Sequence, residues 1–207
     1  MQKIAIYGAG GFGRETRLMI DQINQNEKIW DFIGYYDDNK TGDKILGNLN
    51  SLNQFNESLY VVVAIADSLT RRKIVEGITN KIIKYPILMH PSVIFNDKLV
   101  TVGEGSIIAA YNVFTADIEI GQHSIINLSC TIGHDVSVGD YGSVMPGVHL
   151  SGNVKVGGEV LIGTGARILQ NINIGARSKI GAGAVVTKDV PEGVTVVGVP
   201  AKIVKYD

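Results

Sequence analysis

The chain has 207 residues, enough for one or two domains that bury a core without disulfides or metals. Its formal net charge of −1 argues against a surface for nucleic acids or polyanions, and its single cysteine excludes an internal disulfide. The N-terminus lacks the basic start and long apolar segment of a signal peptide, and no stretch reaches the roughly 20 apolar residues of a membrane-spanning helix. We therefore expect a soluble, cytoplasmic protein without a membrane or nucleic-acid partner.

Residues 1–88 alternate between predicted strands and helices. KIAIY and FIGYYDD are predicted strands separated by an amphipathic helix, and the apolar LYVVVAIA predicts a third strand that is buried on both faces. SLTRRKIVEGI predicts a second helix, with Ser68 as its N-cap. The pattern is typical of a parallel α/β sheet, and it predicts a Rossmann-like half domain over residues 1–88.

A glycine cluster follows the first predicted strand. Gly8, Gly10 and Gly13 form a G-x-G-x-x-G motif before a helix, where backbone N–H groups and the helix N-terminus bind phosphate. A dinucleotide needs two mononucleotide-binding halves, and this region supplies only one. A sugar nucleotide or another phosphate-bearing sugar therefore fits better. The alternative is a tight turn that only packs the helix on the sheet.

The second half of the chain is an internal repeat. Steps of six residues from Val102 to Val186 meet an aliphatic or aromatic residue at all fifteen positions, and a small or β-branched residue follows most of them four places on. A β-sandwich has no reason to keep this register, whereas a solenoid with three flat sides to a coil requires it. We expect about five coils of a parallel β-helix over residues 89–207, with these residues pointing inward.

The order of glycine loop, YYDD, AIAD, HPS and hexads resembles the sugar O-acyltransferase family across essentially the whole chain. That family contains sialic-acid O-acetyltransferases and bacterial N-acetyltransferases that act on nucleotide-linked 4-amino-dideoxy sugars. The resemblance implies a left-handed parallel β-helix, acetyl-CoA as co-substrate, and a homotrimer with active sites between neighbouring copies.

The resemblance also implies a set of substrate-binding residues. Gly10, Gly11 and Phe12 match the loop that binds the sugar nucleotide, and Asp37 and Asp38 match its paired acids. Some family members have histidine where this chain has Phe12, which bears on the identity of the substrate and not on its class.

A further residue is expected near the reacting sugar. By the same resemblance, Asn127 matches a family asparagine at that place. Asparagine also suits the corner of a coil, so a purely structural role is the alternative.

Three histidines lie in the repeat, none at an inward position. We expect His123, and less firmly His149, to be solvated surface residues. His134 precedes Asp135, and acetyl transfer needs a base whose pKa is near the working pH, oriented by a carboxylate. The resemblance assigns these roles to His134 and Asp135, although aspartate also suits a corner. The histidines show no tight ligand spacing, so no metal is expected.

The resemblance places acetyl-CoA along the prism, near Gly152, Thr164 and Ala182. Where the family often has a second histidine near the acetyl group, this chain has Ser143, whose hydroxyl can still donate to a thioester carbonyl. Cys130 falls on an inward position and is expected to be an inert core thiol.

These observations favour an acetyl-CoA-dependent N-acetyltransferase for a nucleotide-linked amino-dideoxy sugar, with His134 as general base and direct attack. O-acetylation of a sialic acid or a related sugar is the alternative within the same class. A non-catalytic trimeric scaffold that binds sugar nucleotides is the alternative from a different class, and it has no use for His134.

Overall fold

The structure is a computed structural model that describes residues 1–206. An α/β Rossmann-like half domain is followed by a left-handed parallel β-helix, which confirms the predicted fold class. No helix among residues 1–206 has both the length and the apolar character needed to cross a membrane.

The N-terminal part is a five-stranded parallel sheet with helices on its faces. Its elements are β1 (Gln2–Tyr7), α1 (Gly11–Asn26), β2 (Trp30–Tyr36), β3 (Ile45–Gly47), α2 (Leu49–Asn53), β4 (Leu59–Val63), α3 (Ser68–Gly77) and β5 (Ile83–Lys84). The strand order is β3-β2-β1-β4-β5, so the predicted strands β1, β2 and β4 form its centre. The glycine loop therefore lies at the carboxyl edge of the central strand, where open parallel sheets bind ligands.

The N-cap of α3 differs from the prediction. Ser68 is the first residue of the helix, and the Asp67 carboxylate accepts the hydrogen bond from Thr70 N at 2.8 Å. The prediction of Ser68 as cap was wrong because either residue type can cap a helix, and sequence alone does not decide between adjacent candidates. Hydrogen bonding from Thr70, first from its side chain and then from its backbone N–H, also lowers the pKa of Asp67.

The β-helix has three faces of short parallel strands. Face 1 contains β6 (Leu88–Met89), β8 (Ile107–Ile108), β11 (Ile125–Ile126), β14 (Ser143–Val144), β17 (Leu161–Ile162), β20 (Lys179–Ile180) and β22 (Val194–Val197), with β23 (Lys202–Tyr206) antiparallel to β22. Face 2 contains β9 (Val113–Phe114), β12 (Thr131–Ile132), β15 (His149–Leu150), β18 (Arg167–Ile168) and β21 (Val185–Val186). Face 3 contains β7 (Val100–Val102), β10 (Ile118–Ile120), β13 (Ser137–Val138), β16 (Lys155–Val156) and β19 (Asn173–Ile174).

Strand pairing follows the predicted hexad register. Ile132 pairs with Leu150 on face 2, and both side chains are buried in the core of the β-helix. Cys130 is fully buried in the same core, and burial raises the pKa of its thiol to about 11. The expected core position of Cys130 is therefore confirmed, and a buried, protonated thiol is expected to be a poor nucleophile.

Residues with a left-handed backbone conformation form the corners between the faces. Non-glycine residues with positive φ occupy the second corner position in coil after coil: Tyr111, Asp117, His123, Ser129, Asp135, Tyr141, Asn153, Glu159, Asn171 and Arg177. The N–H of such a residue binds the corner carbonyl of the preceding coil, as Asn153 N does to His134 O at 2.7 Å. Corner residues one coil apart are therefore stacked directly on each other.

The N-terminal part packs on the outer surface of face 1, over the coils that contain β8 and β11. The outward side chains of Ile107 and Ile125 are buried in one cluster with Ile20 of α1. Leu88 packs in the same cluster, although β6, to which it belongs, already pairs with β8 of the β-helix. The predicted domain boundary after residue 88 thus falls within β6, a strand that contacts both parts.

Candidate active site

The glycine loop lines an open cleft at the edge of the sheet. α1 begins after Gly10 without a side-chain cap, so the N–H groups of its first turn are available to an anion. A Cβ on Gly13 would collide with the Gly8 carbonyl oxygen, whereas the space around Gly10 and Gly11 is open. The nucleotide cleft, as we call it, is lined by Tyr7, Gly8, Gly10, Gly11, Phe12, Asp37, Asp38, Asn39, Lys40, Ala64, Ile65, Thr70 and Ile74.

The paired acids hold the glycine loop in place. Asp37 Oδ2 accepts a hydrogen bond from Ala9 N at 2.8 Å. Asp38 Oδ2 accepts one from the Tyr7 hydroxyl at 2.7 Å, and Asp38 Oδ1 accepts one from Leu49 N at 3.0 Å. Burial, together with the bond to Asp38, raises the pKa of Tyr7. Both carboxylates therefore line the cleft with their orientation fixed, and each has further lone pairs that could accept hydrogen bonds.

Lys40 is a cleft residue that the sequence analysis missed. Its ammonium donates to the Ala9 carbonyl at 3.0 Å, which places a positive charge beside the glycine loop. The signal in the sequence was a lysine two residues after the acid pair, but a lone lysine in a polar loop is too common to stand out.

A second, mainly apolar pocket adjoins the nucleotide cleft. We call it the α1 pocket; it lies between α1 and the corner that joins faces 1 and 2, and Phe12 lines both cavities. Its lining comprises Phe12, Glu15, Thr16, Leu18, Met19, Gln22, His90, Ile107, Ala109, Ala110, Asn127 and Leu128. The two cavities therefore lie on either side of a shared residue, Phe12.

Asn127 presents its amide to the α1 pocket. The residue is largely buried, and its Oδ1 accepts a hydrogen bond from Leu128 N at 2.7 Å. Its Nδ2 has no hydrogen-bond partner among residues 1–206, so this amide group has donors left for a ligand. The structure thus brings together the predicted substrate residues Phe12 and Asn127.

His134 and Asp135 form a hydrogen-bonded pair at the corner between faces 2 and 3. His134 Nδ1 lies 2.7 Å from Asp135 Oδ2, and the two side chains are 68% and 54% exposed. A carboxylate on Nδ1 fixes the neutral tautomer in which Nε2 is the proton acceptor. Asp135 is held by its left-handed backbone and by its N–H bond to the Ala116 carbonyl at 3.0 Å.

Gly152 lies one coil beyond His134 and makes room for its ring. A Cβ on Gly152 would collide with Nε2 and Cε1 of the His134 imidazole. Thr164 and Ala182 are exposed at a different corner, between faces 1 and 2, where they are stacked one coil apart. The predicted acetyl-CoA residues therefore lie on two edges of face 2.

Ser143 lies in a different place from the one that the resemblance implies. Its side chain is buried, and its hydroxyl donates to the Ala66 carbonyl at 2.7 Å. Arg71 Nη2 donates to the same hydroxyl at 2.9 Å, and Ser68 Oγ lies 3.2 Å away. Face 1 is covered there by α3, so the Ser143 hydroxyl is taken up by contacts within the chain.

The expectation for His123 was wrong. The side chain is 3% exposed, stacked on Tyr141 with ring centroids 5.4 Å apart, and edge-on to Tyr85 at 4.7 Å. The repeat placed it outside the prism, but the N-terminal part covers that corner. Burial lowers its pKa to about 4. His149 is half-buried and lies 2.7 Å from the Thr131 hydroxyl.

Within a single chain, the α1 pocket and the His134–Asp135 pair lie at different edges of face 2. The α1 pocket lies at the corner between faces 1 and 2, and His134 lies at the other edge of face 2. No three His, Cys, Asp or Glu side chains in residues 1–206 are grouped as metal ligands. The described residues offer an imidazole oriented by a carboxylate, a helix N-terminus without a side-chain cap and a mainly apolar pocket.

The chain matches known proteins over its full length. The PglD N-terminal domain family matches residues 3–78. WeeI from Acinetobacter baumannii is 32% identical with a TM-score of 0.86, and the match covers 99% of this chain and 100% of that one. No curated protein sequence matches the chain at a significant level.

Two further solved structures were determined with ligands. The acetyltransferase domain of PglB from Neisseria gonorrhoeae, in complex with acetyl coenzyme A, is 31% identical with a TM-score of 0.88, over 98% of this chain and 99% of that one. A mutant perosamine N-acetyltransferase from Caulobacter crescentus, in complex with CoA and GDP-perosamine, is 28% identical with a TM-score of 0.88, over 99% and 98%. The fold, the glycine loop and these similarities together show that the chain belongs to the hexapeptide-repeat sugar acetyltransferases.

Proposed function

We propose that the protein transfers an acetyl group from acetyl-CoA to the amine of a nucleotide-linked amino-dideoxy sugar. The observation that carries the proposal is that Phe12 lines both the nucleotide cleft and the α1 pocket. A glycine loop suited to phosphate, next to a mainly apolar pocket, suits a deoxy sugar attached to a nucleotide. The similar enzyme from Caulobacter crescentus was solved with CoA and GDP-perosamine, which supports this substrate class.

The diphosphate would bind at the start of α1. The uncapped N–H groups after Gly10 favour an anion, and the Lys40 ammonium adds a positive charge at the same edge. The nucleoside would then lie toward Asp37 and Asp38, and the sugar would pass Phe12 toward Asn127. This assignment uses each predicted substrate residue in one continuous path.

A homotrimer would complete the site. His134 and the α1 pocket of one chain lie at opposite edges of face 2, so a single chain does not present the base to its own acceptor. Three copies packed around a threefold axis would bring the His134 edge of one prism to the α1 pocket edge of the next. The exposed His134–Asp135 pair would then be covered by a neighbouring copy.

Acetyl-CoA would lie in the same crevice between copies. Gly152, Thr164 and Ala182 occupy corners on its two sides, where backbone groups and small side chains allow a pantetheine arm to approach closely. We assign no part to Ser143 here, because its hydroxyl already has partners in the chain.

In the proposed reaction, the neutral sugar amine attacks the thioester carbonyl carbon directly. A C–N bond forms as the carbonyl becomes a tetrahedral oxyanion, and His134 Nε2 takes a proton from the amine nitrogen. Collapse re-forms the carbonyl and breaks the C–S bond, and His134 returns the proton to the leaving sulfur. Asp135 holds the Nδ1–H throughout and stabilises the imidazolium that forms.

The test is a steady-state assay of acetyl-CoA against GDP-, UDP- and dTDP-linked amino sugars, with free sialic acid as the O-acetylation control. We expect release of free CoA and an N-acetylated product with at least one 4-amino-dideoxy sugar nucleotide. Turnover only with sialic acid would overturn the choice of an amine acceptor. Binding of sugar nucleotides without any turnover would support the alternative function, a non-catalytic scaffold that binds sugar nucleotides.

A further inference from the structure

His90 is a polar residue in the α1 pocket that the reaction described above does not use. It lies in the HPS segment after β6, and its backbone N–H donates to the Ile108 carbonyl of face 1 at 2.9 Å. Its ring lines the same pocket as Phe12 and Asn127. The imidazole is therefore anchored by the β-helix while it faces the space next to α1.

The hydrogen bonds of His90 determine which ring nitrogen carries the proton. Ser92 N donates to His90 Nδ1 at 3.0 Å, so Nδ1 is an acceptor and carries no hydrogen. The Ser92 hydroxyl also lies 2.7 Å from Nδ1, and its oxygen accepts from Tyr111 N at 2.9 Å, which leaves the hydroxyl hydrogen for Nδ1. Partial burial lowers the pKa of His90, which favours the neutral ring. The proton of neutral His90 is therefore on Nε2.

The Nε2–H has no hydrogen-bond partner in the described part of the chain. No side chain or carbonyl among residues 1–206 accepts a hydrogen bond from it, and the pocket that His90 lines also contains apolar residues such as Ala110 and Leu128. A ligand in the α1 pocket therefore meets two fixed donors, this N–H and the Asn127 amide.

We propose that His90 is a substrate-binding residue whose Nε2–H donates to an oxygen of the acceptor sugar and so orients the sugar in the α1 pocket. The proposal rests on the proposed function, because it assumes that the occupant is the sugar of a sugar nucleotide. His90 is distinct from the base, since its ligand-facing nitrogen already carries a proton and cannot accept one. Its contribution is to affinity and orientation of the acceptor.

Two substitutions distinguish the role of His90 Nδ1 from the role of His90 Nε2. In His90→Asn, the side-chain oxygen can replace Nδ1 as the acceptor for Ser92 N, but the donor to the pocket is lost. In His90→Gln, the longer amide can place a donor near the position of Nε2, but the bond to Ser92 is lost. Both variants are compared with the wild-type protein for thermal stability and for ligand affinity by calorimetry.

The ligands are the sugar nucleotide that the wild-type protein acetylates and the matching nucleoside diphosphate, which lacks the sugar. Loss of one neutral hydrogen bond is expected to weaken binding of the sugar nucleotide to His90→Asn by about 3- to 10-fold. Binding of the nucleoside diphosphate is expected to be unchanged in both variants. His90→Gln is expected to retain most of the sugar-dependent affinity at reduced thermal stability.

Other outcomes overturn the inference. If His90→Asn binds the sugar nucleotide like the wild-type protein, the donor does not contact the sugar. If affinity for both ligands falls only in His90→Gln, His90 has a structural role through Ser92. If the wild-type protein acetylates no amino sugar but binds a sugar nucleotide, the proposed function fails, and the two variants still test whether His90 contacts the sugar.

Discussion

Arg71 Nη2 donates a hydrogen bond to the Ser143 hydroxyl at 2.9 Å, across the contact between α3 and face 1 of the β-helix. The same guanidinium donates to the His123 carbonyl at 2.7 Å and to the Tyr141 carbonyl at 2.6 Å. It also binds the Ile65 carbonyl at the floor of the nucleotide cleft. One buried cation thus fixes the cleft relative to the β-helix, and burial lowers its pKa to about 10 without discharging it at pH 7.

Arg71→Met is therefore expected to destabilise the protein strongly. The change leaves several buried carbonyl oxygens without donors, at a cost of about 1–3 kcal/mol each, so we expect the free energy of unfolding to fall by about 3 kcal/mol or more. Chemical denaturation measures it. The matched control is Arg72→Met. Arg72 is about half exposed and pairs with Glu76 at 2.7 Å and with Glu159 at 2.5 Å, and ion pairs of such an exposed cation are worth about 0–1 kcal/mol each. Equal losses in the two variants would contradict this assignment.

His134→Ala is expected to lower kcat by about 10²- to 10⁴-fold, as loss of a general base does, with little change in stability because the side chain is exposed. The measurement is CoA release at saturating acetyl-CoA and acceptor. His149→Ala is the control, because His149 lies on face 2, and the only hydrogen bond of its ring to residues 1–206 is with the Thr131 hydroxyl at 2.7 Å. A similar loss in both variants would argue against a specific role for His134.

Gly152→Ala tests the position of the His134 ring. The new methyl group would collide with Nε2 and Cε1 of that imidazole and turn it away from its bond to Asp135. We expect a loss of activity of about 10-fold or more at nearly unchanged stability, because the reaction rate falls steeply when the base is displaced from its reactive position. Gly158→Ala is the control at an equivalent corner, where the nearest atom to a new Cβ is the Asp140 carbonyl oxygen at 3.4 Å. Full activity of Gly152→Ala would show that the ring position is not critical.

The sequence predicted the β-helix well because each hexad reports its own local geometry. Ile132 and Cys130 are buried where the repeat placed them, since neighbouring coils impose the same environment at every sixth residue. The glycine loop was located for a similar reason, since it follows a predicted strand, whereas Asp37 was proposed from the family resemblance. The periodicity does not indicate, however, which part of the outer surface of the β-helix is covered by another segment of the chain.

His123 and Ser143 show this limit. Neither lies at an inward position of the repeat, but α3 and the segment around Tyr85 cover them. The hexad pattern contains no information about such long-range contacts. The partners of Arg71 were not predicted either, because buried arginines are rare and all but one of its acceptors are backbone carbonyls. The packing of the N-terminal part on the β-helix is therefore not predictable from the hexad pattern.

The burial of His123 makes the stability of the protein depend on pH. Its pKa is about 4 in the folded protein and about 6.5 when unfolded, so the unfolded chain binds more protons between these values. Stability from this group is complete above pH 6.5 and falls as the pH drops toward 4, by about 3 kcal/mol in all. His123→Phe keeps an aromatic ring between Tyr85 and Tyr141 and removes both the titration and the unpartnered Nδ1.

We therefore expect urea unfolding at pH 7 and at pH 4.5 to differ less in His123→Phe than in the wild-type protein, by about 2–3 kcal/mol. All other titrating groups are common to the two proteins, so the difference between them isolates His123. Denaturation midpoints measured across pH 4.5 to 7 would show a flatter profile for the variant. Parallel profiles would mean that His123 gains a proton without leaving its site, and that the contact between the two parts of the chain tolerates a charge there.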